Sequence, residues 1–174
     1  LVRAVEANDH AVTAGDVGHR YLLMALAKGG RSDLIFKMHH QTERPGYGMQ
    51  LARGATSLTE AWDARGASQN HFMLGHINEW FYHDLAGIAP DPAAPAFKHI
   101  IVRPQPVGDL TWAEATHESP YGPVSIRWDR NGSDFELALS IPPNTTATVH
   151  LPGGEEPLPV AAGSHTFASQ IPNE

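Results

Sequence analysis

Cysteine is missing from all 174 residues, so disulfides and thiolate metal sites are excluded. That absence leaves the compartment open, because cytosolic and exported proteins alike can do without the residue. Long apolar runs are missing too: none reaches the roughly 18 residues that a bilayer-spanning helix requires. Positive charge is scarce, with 12 Lys and Arg against 19 Asp and Glu and a net charge of -7. With no basic run either, nucleic acid and membrane surfaces are excluded as partners. There is no H-E-x-x-H, no G-x-S-x-G elbow and no G-x-x-x-x-G-K after the Gly-Tyr-Gly of residues 46–48. Zincin, serine-hydrolase and P-loop chemistries therefore have no anchor. No internal repeat, low-complexity segment or signal-peptide pattern occurs. The opening "LVRAVEAND" reads as the interior of a helix, so the expectation is the C-terminal part of a longer chain, with any targeting segment upstream.

What is present suits a chain with a core: 41% of residues are hydrophobic. The first half has helical periodicity. Residues 15–30 place Val17, Tyr21, Leu22, Ala25 and Leu26 on one side and stop at Gly29-Gly30. Residues 31–42 start with Ser32 as N-cap and carry Leu34, Ile35 and Met38, before Pro45 and Gly46 break the chain. Residues 68–88 give the strongest pattern, capped by Ser68, with Phe72, Met73, Ile77, Trp80, Phe81 and Leu85 as its buried face and Gly87 as its stop. Helices joined by short glycine turns predict antiparallel hairpins.

At "APDPAAPAF" (89–97) no helix can continue, and a domain boundary is placed there, dividing the chain into 1–90 and 91–174. Beyond it the period becomes two. Strands are predicted at 98–104, 110–119, 122–129, 134–142, 146–152 and 164–169. Turns are expected at Asn131-Gly132 and at 120–123, and the tail 170–174 is expected to be loose. Short, evenly spaced strands predict a small antiparallel β-sandwich. The fold class is thus α+β, helices first and sandwich second.

Chemistry concentrates in "GATSLTEAWDA" (54–64). A glycosidase needs an acid to protonate the leaving oxygen and a carboxylate to act as base or nucleophile, held beside aromatic rings that meet the sugar faces. Glu60, two residues from Trp62, offers one such carboxylate; a solvated loop acid or helix-terminus charge is the plain alternative. Asp63 is expected to cap the next turn or orient nearby backbone. Tyr47 reads as a sugar platform or as loop filler. Among 11 histidines, His76, Glu79 and His83 share a helical side, and a Glu79–His83 surface pair is preferred to a metal site. His39 and His40 point to different sides of their helix. The sequons at Asn131 and Asn144 lie on predicted turns.

These segments, "YLLMALAKGGRSDLIFKMHHQTERPGYG", "GATSLTEAWDA" and "SQNHFMLGHINEWFYHDLAGI", followed by "FKHIIVRPQPVGDLTWAEATHESPYGPVSIRW", together resemble the C-terminal portion of bacterial α-L-rhamnosidases of glycoside hydrolase family 78. The resemblance runs from about residue 15 to about residue 152. It implies the last helices of an (α/α)6 barrel followed by a β-sandwich, and inverting hydrolysis of terminal α-L-rhamnose. It implies Glu60 as general base, a substrate-contacting Asn70-His71 pair and Trp62 lining the sugar site. The general acid is expected upstream, outside this chain. Neither cofactor nor metal is implied; the implied partner is a rhamnose-containing glycoside or polysaccharide. The sequence departs from the family at Thr59, where many members carry Trp, and in a short 60–71 loop. Uncovered barrel helices are expected to promote self-association. The alternative reading is a non-catalytic carbohydrate-binding or interaction module, with Trp112, Tyr121 and Trp128 as an aromatic platform on the sandwich; a place in the sandwich core is preferred for these three rings.

Overall fold

The computed structural model describes residues 1–171, and the chain divides into two compact units, Leu1–Trp80 and Phe81–Glu174. The first is helical: α1 (Val2–Ala7), α2 (Asp16–Lys28), α3 (Ser32–His40) and α4 (Tyr47–Ala52) precede a 3₁₀ turn (Phe72–His76) and a short α5 (Ile77–Trp80). Helices α2 and α3 lie against each other, burying Leu23, Leu26, Leu34, Ile35 and Met38. Each such side chain stabilises the unit by about 1.5–3 kcal/mol relative to exposure. The turn between them closes as expected: Gly30 has φ +68°, and the Gly30 and Arg31 N–H groups donate back to Ala27 and Leu26 carbonyls.

Three local expectations are corrected. Ser32 is the first helical residue, not the cap; its hydroxyl instead accepts the Trp80 indole N–H at 2.9 Å. The Gly-Tyr-Gly segment is not a plain loop but opens α4. A Cβ on Gly46 would come within 2.4 Å of the Met38 carbonyl, and one on Gly48 equally close to that of Gln41; the glycines thus let α4 approach the end of α3. The helix predicted at 68–88 begins only at Phe72 and changes character along its length, ending in a π turn (Phe81–Ala86) that belongs to the second unit. Up to Trp80 its buried residues are Leu74, Ile77 and Trp80, three apart, while Phe72 is 83% exposed. Leu74 lies in the 3₁₀ turn and Ile77 and Trp80 in α5, so this spacing spans the change of winding. Glu79 binds Arg20 at 3.1 Å, and His83 lies 3.4 Å from Asp84.

The second unit is one barrel-like sheet, which corrects the antiparallel sandwich. Its strands are β1 (Ile88–Pro90), β2 (His99–Val102), β3 (Trp112–Ser119), β4 (Gly122–Asn131), β5 (Asp134–Val149) and β6 (Leu158–Gln170). Their order is β1-β2-β5-β4-β3, with β6 also paired to β5. The segments predicted at 134–142 and 146–152 are one strand. Pro142 to Thr145 stand opposite Ala162 alone, a bulge placed where two prolines cannot donate to a ladder. Before the bulge β5 pairs with β4; after it, β5 pairs with β2 in parallel. That crossing lets one strand serve two neighbours, which strict antiparallel spacing did not anticipate. The interior is filled by alternate residues, Val124, Ile126 and Trp128 from β4 and Phe135, Leu137, Leu139 and Ile141 from β5. Gly132 (φ +62°) and Ser133 turn the β4–β5 hairpin. Gln170, expected in a loose tail, pairs with Asp134 at the end of β6; residues 172–174 lie outside the described residues.

Candidate active site

The loop bearing Glu60 is fastened on both sides. Buried Gln50 on α4 donates its side-chain amide to the Thr59 and Ala61 carbonyls at 3.2 and 3.4 Å. Thr59 is itself buried and donates its hydroxyl to the Ala61 carbonyl. The Glu60 N–H donates to the Ser68 carbonyl at 2.9 Å, and the Ser68 N–H donates back to Glu60 Oε2 at 3.0 Å. Ser68 thus orients the glutamate instead of capping a helix. The Glu60 side chain remains 44% exposed: a carboxylate aimed by backbone yet open to small molecules. Between Ser68 and Glu60 the loop holds Ala64 and Ala67 at positive φ, +56° and +51°, a conformation costly for residues with a Cβ. As expected, Asp63 organises its own turn, accepting the Arg65 N–H at 3.0 Å.

His71 comes to the same place. Its N–H donates to the Leu58 carbonyl, and its ring lies between two carboxylates. Nε2 is 3.1 Å from Asp16 Oδ2, and Nδ1 is 4.0 Å from Glu60 Oε2. Asp16 opens α2 and also accepts the Val17 N–H. The His71 hydrogen bond first, and that backbone N–H second, hold the Asp16 carboxyl below its ordinary value. Asn70, next along the chain, has an exposed side chain, and its N–H donates to the Ser68 hydroxyl.

Trp62 is anchored behind Glu60. Its indole N–H donates to the Ala14 carbonyl at 2.8 Å, and its ring meets those of His19, Tyr47 and His39 at centroid separations of 5.0, 5.3 and 6.0 Å. Tyr47, considered above as a sugar platform, donates its hydroxyl to the Leu74 carbonyl. The two histidines sit in contact, Nε2 to Nε2, at 3.2 Å. The Tyr47 N–H donates to His39 Nδ1, so the His39 proton is on Nε2 and is given to His19. The His19 proton is then on Nδ1, which is buried without a partner among the described residues. Burial pushes the His19 pKa down to about 4 and that of His39 to about 3; both rings are neutral near neutrality. Burial likewise raises the Tyr47 hydroxyl. His40, on the other side of α3, stacks on Phe36.

The structure thus brings Glu60, Trp62, Asn70 and His71 into one stretch of the helical unit. It adds Asp16, Gln50, Ser68, His19 and His39, which sequence reasoning did not select. Asp16 left one signal, an acid at the first position of a predicted helix; Gln50 left none, since its role depends on a backbone that arrives from nine residues downstream. Trp128, for which the core was preferred to a surface platform, is fully buried and donates its indole N–H to the Leu85 carbonyl. Among the described residues no group of three or more histidine or acidic side chains gathers in a metal-binding arrangement.

Two family models match: the bacterial α-L-rhamnosidase six-hairpin glycosidase domain over residues 1–85, and the bacterial α-L-rhamnosidase C-terminal domain over residues 87–165. An α-L-rhamnosidase of Streptomyces avermitilis is 38% identical over 162 residues, and one of Formosa agariphila 33% over 162. Each match covers 87% of this chain but only 16% and 17% of the relative, so the chain spans about a sixth of their length. Among solved structures, native α-L-rhamnosidase from Aspergillus terreus superposes with TM-score 0.89 at 34% identity, over 97% of this chain and 21% of that one. The Streptomyces avermitilis enzyme, solved with L-rhamnose, gives 0.88 at 33% identity, over 97% and 19%. Both units of the chain are thereby accounted for, and the chain belongs to the bacterial α-L-rhamnosidase family.

Proposed function

We propose that the chain forms the C-terminal part of a glycoside hydrolase that releases terminal α-L-rhamnose with inversion, Glu60 acting as general base. In this reading residues 1–90 complete an (α/α)6 catalytic barrel and residues 91–174 form the β domain that follows it. The general acid comes from a barrel loop outside these 174 residues. The observation that carries the proposal is the Glu60 carboxylate, fixed by the Ser68 N–H yet half open, with the His71 ring 4.0 Å away. An inverting base must reach a water on the face of the sugar opposite the leaving group, with the two carboxyls roughly 6.5–9.5 Å apart. An acid on a different loop satisfies that spacing better than Asp63, which is committed to its own turn. His71 faces the reacting centre beside Glu60, Asn70 meets the sugar hydroxyls, and the open edge of Trp62 lines the sugar site. The substrate is a rhamnose-containing glycoside or polysaccharide. A stripe of exposed Val17, Tyr21 and Met24 along α2 is what a barrel helix presents to its neighbours, and in the isolated chain it favours self-association.

In the complete rhamnosidase, Glu60→Gln should lower kcat on an aryl α-L-rhamnoside by roughly 10²–10⁴-fold. Added azide should restore turnover, yielding the β-rhamnosyl azide. Undiminished hydrolysis by the variant removes Glu60 from this role. The isolated 174-residue chain should be inactive; hydrolysis by it that Glu60→Gln abolishes refutes the need for an outside acid. The binding-module alternative loses its platform with Trp128 in the core, and the Trp112 ring is partnered by the Arg127 guanidinium at 5.0 Å.

A further inference from the structure

Asp16 and His71 make a second arrangement around Glu60, and its geometry goes beyond a sugar contact. Asp16 is held as a carboxylate, which can only accept. The 3.1 Å contact with His71 Nε2 therefore places a proton on Nε2. In the neutral ring this leaves Nδ1 as a lone-pair acceptor facing Glu60 Oε2 at 4.0 Å. Two acceptors so close are too far apart to bond each other and would be poorly matched in isolation. They suit one molecule with two hydrogens. A water donating both at about 2.8 Å, with its O–H bonds opened by about 105°, spans acceptors about 4.4 Å apart. A separation of 4.0 Å lies within half an ångström of that figure.

We infer that Asp16 is a positioning residue, fixing His71 as the Nε2–H tautomer so that Nδ1 and Glu60 Oε2 jointly hold the attacking water. The inference rests on the reading of Glu60 as base and gives His71 an atom-level part in it. With both hydrogens engaged, the lone pairs of the water face the anomeric carbon. In the reaction the water oxygen bonds to that carbon while the glycosidic C–O bond breaks. The leaving oxygen takes the proton of the general acid. One water proton passes to Glu60, and the other stays on the new anomeric hydroxyl, still donated to His71. Asp16 changes no covalent bond; it prevents the alternative tautomer, whose Nδ1–H would point a hydrogen at the water and compete for its lone pair. The charged groups facing the ring are Asp16 from α2 and Glu60 from the 60–71 loop.

Asp16→Asn keeps the shape and removes the charge; Asp16→Glu restores the carboxylate. Histidine ¹⁵N spectra of the 174-residue chain, assigned by the signals lost in His71→Gln, read the tautomer without any reaction. The wild-type chain should show His71 protonated at Nε2, Asp16→Asn a mixture of tautomers, and Asp16→Glu the wild-type pattern. In the complete rhamnosidase, Asp16→Asn should lower kcat tenfold or more with KM changed less than twofold, and Asp16→Glu should recover most of it. A His71 tautomer indifferent to Asp16→Asn overturns the inference, as does a raised KM at unchanged kcat, which would mark a sugar contact. If Glu60→Gln retains full activity, the reading of the base fails instead, and the two failures are told apart.

Discussion

The His19–His39 pair makes the helical unit sensitive to acid. Both rings are neutral in the folded protein, with pKa values lowered from 6.5 to about 4 and about 3 by burial. In the unfolded chain each returns to about 6.5. Between these values the unfolded state binds more protons, so stability rises with pH across the window. It is complete above about pH 6.5 and is lost as the pH falls toward 4. From pH 7 to pH 5 each ring favours the unfolded chain by about 2 kcal/mol, and at pH 5 neither has yet taken up a proton in the folded state. The pair thus costs about 4 kcal/mol, roughly a 500- to 1000-fold rise in the opening constant. Hydrogen exchange, corrected for the intrinsic pH dependence of the rate, should show that loss of protection in α2 and α3. The β4 and β5 amides, in the other unit, should change far less. The double variant His19→Gln/His39→Gln starts less stable, but its α2 and α3 protection should vary less than tenfold over the same range. An equal pH dependence in wild type and variant would show that other groups carry it, and would refute neutral burial of the pair.

Other substitutions test the sheet. Gly87 has φ +89°, and a Cβ there would lie 2.3 Å from the Pro104 nitrogen, so Gly87→Ala should destabilise the second unit by at least about 2 kcal/mol in urea unfolding; a loss under about 0.5 kcal/mol would mean the turn can relax. Trp128→Phe leaves the Leu85 carbonyl without its 2.9 Å donor and a void in the core, for about 2–4 kcal/mol. Trp112→Phe, at a ring 55% exposed, should stay within about 0.5 kcal/mol; equal effects of the two would contradict their placement.

Where periodicity met a regular element, the residues announced the structure. Leu34, Ile35 and Met38 mark the inner face of α3, and the alternation of Val124, Ile126 and Trp128 marks β4. The failures share a cause. The order Phe72, Met73, Ile77, Trp80 fits a 3.6-residue period almost as well as Leu74, Ile77, Trp80 fits one of three, and only packing chooses between them. The join of 134–142 to 146–152 through Pro142 and Pro143 was hidden because proline pairs argue against a strand locally, whereas here β6 carries the ladder past them. In the proposed site, Glu60 and His71 were singled out by their motifs, and the fold brings them to within 4.0 Å of each other. Asp16 was not singled out, because 55 residues separate it from the imidazole it binds.

That separation bears on how the proposed base can reside on so short a loop. A loop of small residues has little packing of its own and opens easily, yet a catalytic carboxylate must be held to within about half an ångström. Here the rigidity is borrowed at three points from two helices, α2 and α4. Gln50 on α4 grips the chain on both sides of Glu60, the Ala14 carbonyl before α2 holds Trp62, and Asp16 at the start of α2 holds His71. Each tie ends on backbone or on a ring, leaving the Glu60 oxygens with the Ser68 N–H as their one direct hydrogen-bond donor among the described residues. Loosening any one tie should therefore move the carboxylate without exposing new core. Gln50→Leu is expected to lower kcat tenfold or more at a stability cost of only about 1–3 kcal/mol: the apolar substitute keeps the volume, the Ala61 carbonyl keeps the Thr59 hydroxyl as donor, and the buried Thr59 carbonyl is left without one. A fall in activity accompanied by a stability loss well above that cost would mean that the loop is held by the core as a whole and not by these three points.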